Sequence, residues 1–217
     1  NELATLKEKL SSAGLKNPYM SVDKTLGAFQ TIRTNESFNK KYSRVFNQCL
    51  VLLVSHFGST VRATFQSAVD LALTTDKFEK VRKAKVELSL ADLKNDIEKT
   101  RSLGEILAVQ KDISFQDMQS IVRAFDDYFG IGIDRDHHMH NFVLAQACRN
   151  AIVHSGAVVD RRLVSQVSSA TPRTVKTQLV LNSELLFEKA EVEALGESMR
   201  QFLDSLLSRL DQLFGGA

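Results

Sequence analysis

Tryptophan is absent from this 217-residue chain, and proline and cysteine occur only twice each. Two cysteines cannot build a disulfide scaffold. Cys49 and Cys148 both fall in apolar stretches of helical spacing, where they are expected as small buried hydrophobes in a reducing compartment. With only two Pro and ten Gly, long stretches are free to be helical. No apolar run reaches the roughly 18 residues needed to span a bilayer, and no secretory signal is visible, so a cytoplasmic protein is expected. The chain opens on Asn1 rather than Met, and a start further upstream is expected. There is no Walker loop, no Gly-x-Gly-x-x-Gly, no Cys-x-x-Cys and no Gly-x-Ser-x-Gly, which leaves nucleotide-binding, zinc-finger and serine-hydrolase readings without support.

What is present suits one globular domain with an extension. The chain is 43% hydrophobic and 25% charged, and thirteen Phe supply aromatic core volume. The net charge of +2 is too small to imply a polyanionic partner, but its distribution is uneven. From Met139 to Ser183 five basic residues (Arg149, Arg161, Arg162, Arg173, Lys176) stand against one acid, Asp160, whereas the segment from Glu184 onward carries seven acids and three bases. A basic segment beside an acidic one can orient a polyanion, although a cluster of surface charges is the plainer alternative.

The periodicity predicts a bundle of four to five main helices. Residues 1–36 form a polar lead in which Leu3, Leu6 and Leu10 hint at a short helix; the helical domain is expected over 37–217. The first strong helix runs from about Glu36 to Thr74. Val45, Cys49, Leu52, Leu53, His56, Val61 and Phe65 keep near-helical spacing, and Gly58 is a candidate bend. The charged stretch Asp76–Lys85 reads as a solvated face or linker. Ser89 with Asp92, and Ser114 with Asp117, read as capping boxes opening further helices. Gly130 closes the second of these. The next helix spans about His137–His154 and is stopped by Gly156. A loop bearing Arg161 and Arg162 follows, then a short extended segment, Thr174–Asn182. Finally Val192, Leu195, Met199, Phe202, Leu206, Leu210 and Leu213 alternate in steps of three and four, a seam suited to bundle packing.

Two constellations carry candidate chemistry. His137, His138 and His140 invite a metal, but neighbours on a helix do not face one another, and no helical Glu or His partner stands at a familiar spacing. They read as a polar helix start, and no metal or cofactor is expected. The second is Arg149-Asn150-Ala151-Ile152-Val153-His154. Asn150 and His154, four apart, share a face. Arg149 lies about 140° around and roughly 7.5 Å along the axis from His154. A His acts as general acid or base near neutral pH, and Arg holds phosphate by two hydrogen bonds. RNA transesterification needs both groups, yet the same spacing also describes an ordinary helix end.

The run Ala147–Asp160 resembles the HEPN superfamily, whose pattern is Arg, a polar residue, a few variable positions and His near a helix C-terminus. It is closest in appearance to the branch called RiboL-PSP-HEPN. The Ile113–Asp117 helix start and the long apolar first helix also fit, and the similarity covers roughly residues 40–214. The resemblance implies an all-α bundle that dimerises and builds a metal-independent endoribonuclease site from both subunits. By position, His154 would be catalytic, Arg149 its phosphate-contacting partner and Asn150 the residue that orients them. The basic Arg161, Arg162 and Arg173 are candidate RNA contacts. Such proteins often act as toxins or anti-phage effectors, so RNA, a homodimer partner and an antitoxin-like protein are the expected partners. The alternatives are a non-catalytic helical module that pairs through the Leu195–Leu213 seam, or a nucleotide-binding regulator without cleavage.

Overall fold

The computed structural model describes residues 36–91 and 101–215, with Thr5, Gly27 and Lys94 as isolated positions. The chain divides into two compact units, residues 1–45 and 46–217. The division falls inside the first long helix rather than at the start of its apolar periodicity near residue 36. The expected Leu3–Leu10 helix, and most of the helix expected after Ser89, lie outside the described residues.

The described residues are all-α. In chain order they form α1 (Glu36–Leu73), α2 (Glu79–Arg82), α3 (Leu103–Gln110), α4 (Met118–Phe129), α5 (His137–His154), α6 (Arg161–Val167) and α7 (Lys189–Gly215). None is both long and apolar enough to cross a membrane.

Within the larger unit, α1 is the spine. Its buried stripe is Asn47, Leu50, Val54, Phe57, Val61, Phe65, Ala68, Val69 and Ala72, a three-and-four spacing that keeps one face inward. This stripe is out of phase with the expected Val45–Cys49–Leu52 face, and all three of those residues are exposed. The centre of the helix is apolar nearly all round, so composition alone does not set the phase. Phenylalanines then join the spine to its neighbours. The Phe57 ring lies 4.2 Å from Phe142 of α5 and 5.6 Å from Phe202 of α7. The Phe65 ring lies 5.5 Å from Phe125 of α4. The α7 seam packs into this same core: Leu195, Met199, Phe202, Leu206 and Leu210 are all buried.

Two glycines set close approaches. α1 runs unbroken through Gly58; a Cβ there would come within 2.9 Å of the Phe115 carbonyl oxygen. Gly58 therefore admits the chain that leads into α4 rather than breaking the helix. A Cβ on Gly104 would lie 2.2 Å from the Gln66 carbonyl oxygen, and the Gly104 N–H donates to Asp70 Oδ1 at 2.8 Å. Asp70 and the N-cap Ser102 together satisfy the start of α3.

The remaining boundaries follow from caps. Asp117, not Ser114, caps α4, accepting from the Ser120 N–H at 2.8 Å. Gly130, at φ 67°, ends it in the left-handed conformation. Asp136 caps α5. Beyond α5, Gly156 (φ 63°) and Ala157 (φ 59°) reverse the chain. Residues 161–167, expected as loop, form α6, because Asp160 accepts from the Leu163 N–H at 2.7 Å while Leu163 and Val167 turn into the core.

The expected extended segment Thr174–Asn182 is irregular, and the described residues contain only one isolated bridge, Val158–Glu184. Two buried amides replace a ladder. Asn141 Oδ1 accepts from the Thr174 N–H at 3.0 Å, and its Nδ2 donates to Thr174 Oγ1 and Ser198 Oγ. Asn47 Nδ2 donates to the Leu185 carbonyl at 2.7 Å, and its Oδ1 accepts from the Phe187 N–H at 3.0 Å. Asn141 of α5 thus takes the N–H at the start of this segment, and Asn47 of α1 fastens the backbone beyond it, at Leu185 and Phe187.

Candidate functional site

The last turns of α5 are built to hold a few polar groups at a fixed surface. The helix is anchored upstream by Leu144, Ala145 and Cys148, all wholly buried. Burial pushes the Cys148 thiol up to about 12, so it is a packing group rather than a nucleophile. Downstream the chain is tied down at once. The Ser155 and Ala157 N–H groups both reach the Ala151 carbonyl, at 2.9 and 3.1 Å. Leu185 N–H then donates to the Ala157 carbonyl at 2.7 Å, and Val159 N–H to the Ser183 carbonyl at 3.0 Å. Val159 is buried and Asp160 caps α6. Gly156, Val159 and Asp160 therefore serve the turn, the core and the next helix.

Arg149, Asn150 and His154 remain at the surface. Arg149 and Asn150 are half-buried and His154 is exposed. Arg149 Nη1 donates to Asn150 Oδ1 at 3.0 Å, so the amide holds the guanidinium against the helix. His154 makes no hydrogen bond or ion pair with the described residues. All three line an open cavity of about 280 Å³ together with Gln116, Asp160 and Arg162. Three basic side chains (Arg149, His154, Arg162) thus face one space, opposed by a single carboxylate that is already committed to capping α6 and accepts a 3.5 Å hydrogen bond from Ser155 Oγ. An anion with several acceptor oxygens fits that arrangement.

The other expected contacts are placed differently. Arg161 is exposed at the first turn of α6, outside the cavity lining. Arg173 lines neither this cavity nor the adjoining one. Its guanidinium donates to the carbonyls of Val167, Ala170, Lys176 and Thr177, at 3.0–3.2 Å, which engages most of its five N–H donors. Arg173 fastens the 167–177 segment. The three N-terminal histidines of α5 go separate ways. His138 bonds Ser198 Oγ at 3.3 Å, His140 Nδ1 meets the Pro172 carbonyl at 2.9 Å, and the His137 and His138 rings lie 3.9 Å apart. Among the described residues, no group of three His, Cys, Asp or Glu side chains is placed to hold a metal ion.

A second cavity, of about 440 Å³, adjoins the first and shares Gln116, Ala147, Asn150 and Gln166 with it. Sequence reasoning passed over this space and its central residue, Gln146. The available signal was a lone amide inside the run Leu144-Ala145-Gln146-Ala147-Cys148, where helix packing calls for an apolar side chain. Compared with family models, curated proteins and solved structures, the chain matches none.

Proposed function

We propose that this protein is a metal-independent endoribonuclease of the HEPN type, working as a homodimer in the cytoplasm, with Arg149, Asn150 and His154 at its active centre. The observation that carries the reading is the convergence of Arg149, His154 and Arg162 on one open cavity at the end of α5, in a chain whose Arg-Asn-x-x-x-His run resembles that family. The guanidinium groups would hold the phosphodiester. The RNA 2′-oxygen attacks the adjacent phosphorus and the bond from phosphorus to the 5′-oxygen breaks. One imidazole takes the 2′-OH proton and a second gives a proton to the departing 5′-oxygen. The products are a 2′,3′-cyclic phosphate and a 5′-OH end. One protomer supplies one such His, so a two-fold partner supplies the second.

The exposed Val153, Val158 and Val164 flank the motif in sequence and offer apolar surface for that contact. A pairing module built on the Leu195–Leu213 seam is less well supported, because most of that seam is buried within the chain's own core. A toxin or anti-phage role, with an antitoxin-like protein as partner, follows from the family resemblance. Incubation of the pure protein with labelled RNA in EDTA tests the reading: cleavage leaving 2′,3′-cyclic phosphate ends is expected, and activity that requires a divalent cation overturns it.

A further inference from the structure

The cavity beside the motif has a chemical character of its own. Where the motif cavity is basic, this one carries one carboxylate (Asp117) and one guanidinium (Arg135), with Met139, Val143 and Ala170 as apolar wall. An additional phosphate gains little there, whereas a flat, uncharged ring with polar edges meets both kinds of surface. Its volume of about 440 Å³ lies in the range of roughly 300–1,000 Å³ usual for small-ligand sites.

Gln146 is the independent observation. It lines this cavity and is 7% exposed. Its Oε1 accepts the first N–H of α4, from Met118, at 3.0 Å, which fixes the orientation of the amide. With Oε1 so assigned, Nε2 is the donor end, and it has no hydrogen-bond partner among the described residues. Buried donors are nearly always paired, and an unpaired one costs free energy that an incoming acceptor removes. His140 lines the same cavity. Its Nδ1 faces the Pro172 carbonyl, an acceptor, so Nδ1 carries a proton and donates to that carbonyl. The cavity lining therefore includes a fixed, unpaired amide donor, which a ring nitrogen or carbonyl on a nucleobase edge can satisfy.

We infer that this cavity is a nucleobase subsite that seats the base of a nucleotide next to the phosphate held by Arg149 and Arg162, with Gln146 Nε2 donating to a ring nitrogen or carbonyl of that base. The inference rests on the proposed RNA-cleaving function and adds a specificity determinant to it. Asn150 and Gln166 line both cavities, so a single nucleotide unit can extend from one to the other without leaving the groove.

The test is fluorescence anisotropy with labelled, uncleavable 2′-O-methyl octamers of A, of C and of U, and with a baseless octamer of the same backbone. The intact protein is expected to bind at least one base-bearing octamer roughly fivefold or more tightly than the baseless one, the worth of about one hydrogen bond. Gln146→Glu keeps the acceptor for Met118 N–H and removes the donor. It is expected to erase the preference, so that within this variant the base-bearing octamers bind no more tightly than the baseless one. Should that variant not fold, Ser169→Trp, at an exposed position of the lining, fills the cavity from outside with the same expected loss. Equal binding of all octamers by the parent overturns the subsite and leaves the phosphate reading standing, as does a base preference retained by the folded variants. No binding of any octamer overturns both.

Discussion

Arg149 and Asn150, adjacent in the chain, are joined side chain to side chain by a 3.0 Å hydrogen bond, with His154 one turn further along α5. The polar residue of the motif thus acts on the arginine, holding its guanidinium along the helix. Because none of the three side chains is buried, their removal leaves the core intact. His154→Ala and Arg149→Ala are each expected to abolish RNA cleavage with a stability change under about 1 kcal/mol. Asn150→Ala should slow cleavage less than either. Rates on a labelled RNA, beside urea melts of each variant, check this; a His154→Ala protein as fast as its parent refutes the assignment.

Arg162 and Arg173 separate by what their guanidinium groups touch. Arg162 lines the motif cavity, so Arg162→Ala should weaken RNA binding and flatten the slope of log affinity against log salt by about 0.7, with little change in stability. Arg161, exposed beside it, should add a smaller effect of the same sign. Arg173→Ala frees four carbonyls from their donor and should lower stability by about 2 kcal/mol, while the salt slope stays near that of the parent. A salt titration and a urea melt on the three variants decide it. The reverse pattern would return Arg173 to the RNA surface.

The sequence made the helices legible where apolar spacing and cap residues agree. α1, α5 and α7 begin and end within a few residues of the expected positions because Asp136, Gly156 and the Leu195–Leu210 seam are strong local signals. It misled where the signal was symmetric or non-local. The Cys49–Val54 stretch is apolar all round, so its inward face depends on which neighbours arrive. α3 carries a Ser-x-x-Glu start, and Ser102 Oγ accepts from the Glu105 N–H at 3.1 Å, yet its short apolar run was overlooked. α6 depends on a cap, Asp160, that read more readily as part of the motif. The 174–182 alternation forms no strand: its start is held by the Asn141 amide and the chain beyond it by Asn47, at Leu185 and Phe187, and no local pattern announces such partners. At the site, the motif identified Arg149, Asn150 and His154. Arg162 and Gln146 take their places only once α6 and α4 fold against α5.

Gly104 is a sharp test of the packing. Its missing side chain admits the Gln66 carbonyl to a point 2.2 Å from where a Cβ would sit, and both atoms concerned belong to helix backbones. Gly104→Ala must therefore move α3 off α1 and strain the bond from its N–H to Asp70. Such overpacking is expected to cost about 2–3 kcal/mol, against a small change for Gly132→Ala, where nothing lies within 4 Å. Chemical denaturation of both variants measures the difference. A Gly104→Ala protein as stable as Gly132→Ala would contradict the close approach.

The two cysteines should behave oppositely. Cys49 is exposed and Cys148 buried, so a thiol reagent should label one site in the native protein and two after unfolding. Cys148 also links stability to alkaline pH. Its folded value is raised from 9.0 to about 12 by burial. Above pH 9 the unfolded chain gives up this proton while the folded one keeps it, so the contribution is complete below pH 9 and fades as pH rises toward 12. Tyr128, raised from 10.0 by burial and by Asp127, acts in the same direction in parent and variant alike. Hence the stability advantage of the parent over Cys148→Ala should shrink between pH 9 and 12. A constant difference across that window would show that the thiol is not held neutral by burial.

The proposed homodimer would complete the proposed chemistry. One protomer brings Arg149, Arg162 and a single His154 to its cavity, and transesterification needs both a base and an acid. A two-fold axis beside the end of α5 supplies the second set, and closed two-fold dimers are the commonest oligomers. The opposing term is repulsion among paired arginines and histidines, which phosphate relieves, so the dimer should tighten when RNA or a simple anion binds. Val153, next to His154 and 47% exposed, is the natural contact to break. Val153→Glu places two carboxylates across the axis and is expected to give a folded monomer without nuclease activity. A mixed dimer of the His154→Ala and Arg149→Ala proteins holds a single His154 and should stay inactive. Light scattering with parallel cleavage assays measures these outcomes. A protein of 24.2 kDa in solution that cleaves RNA as fast as the parent would eliminate the shared site.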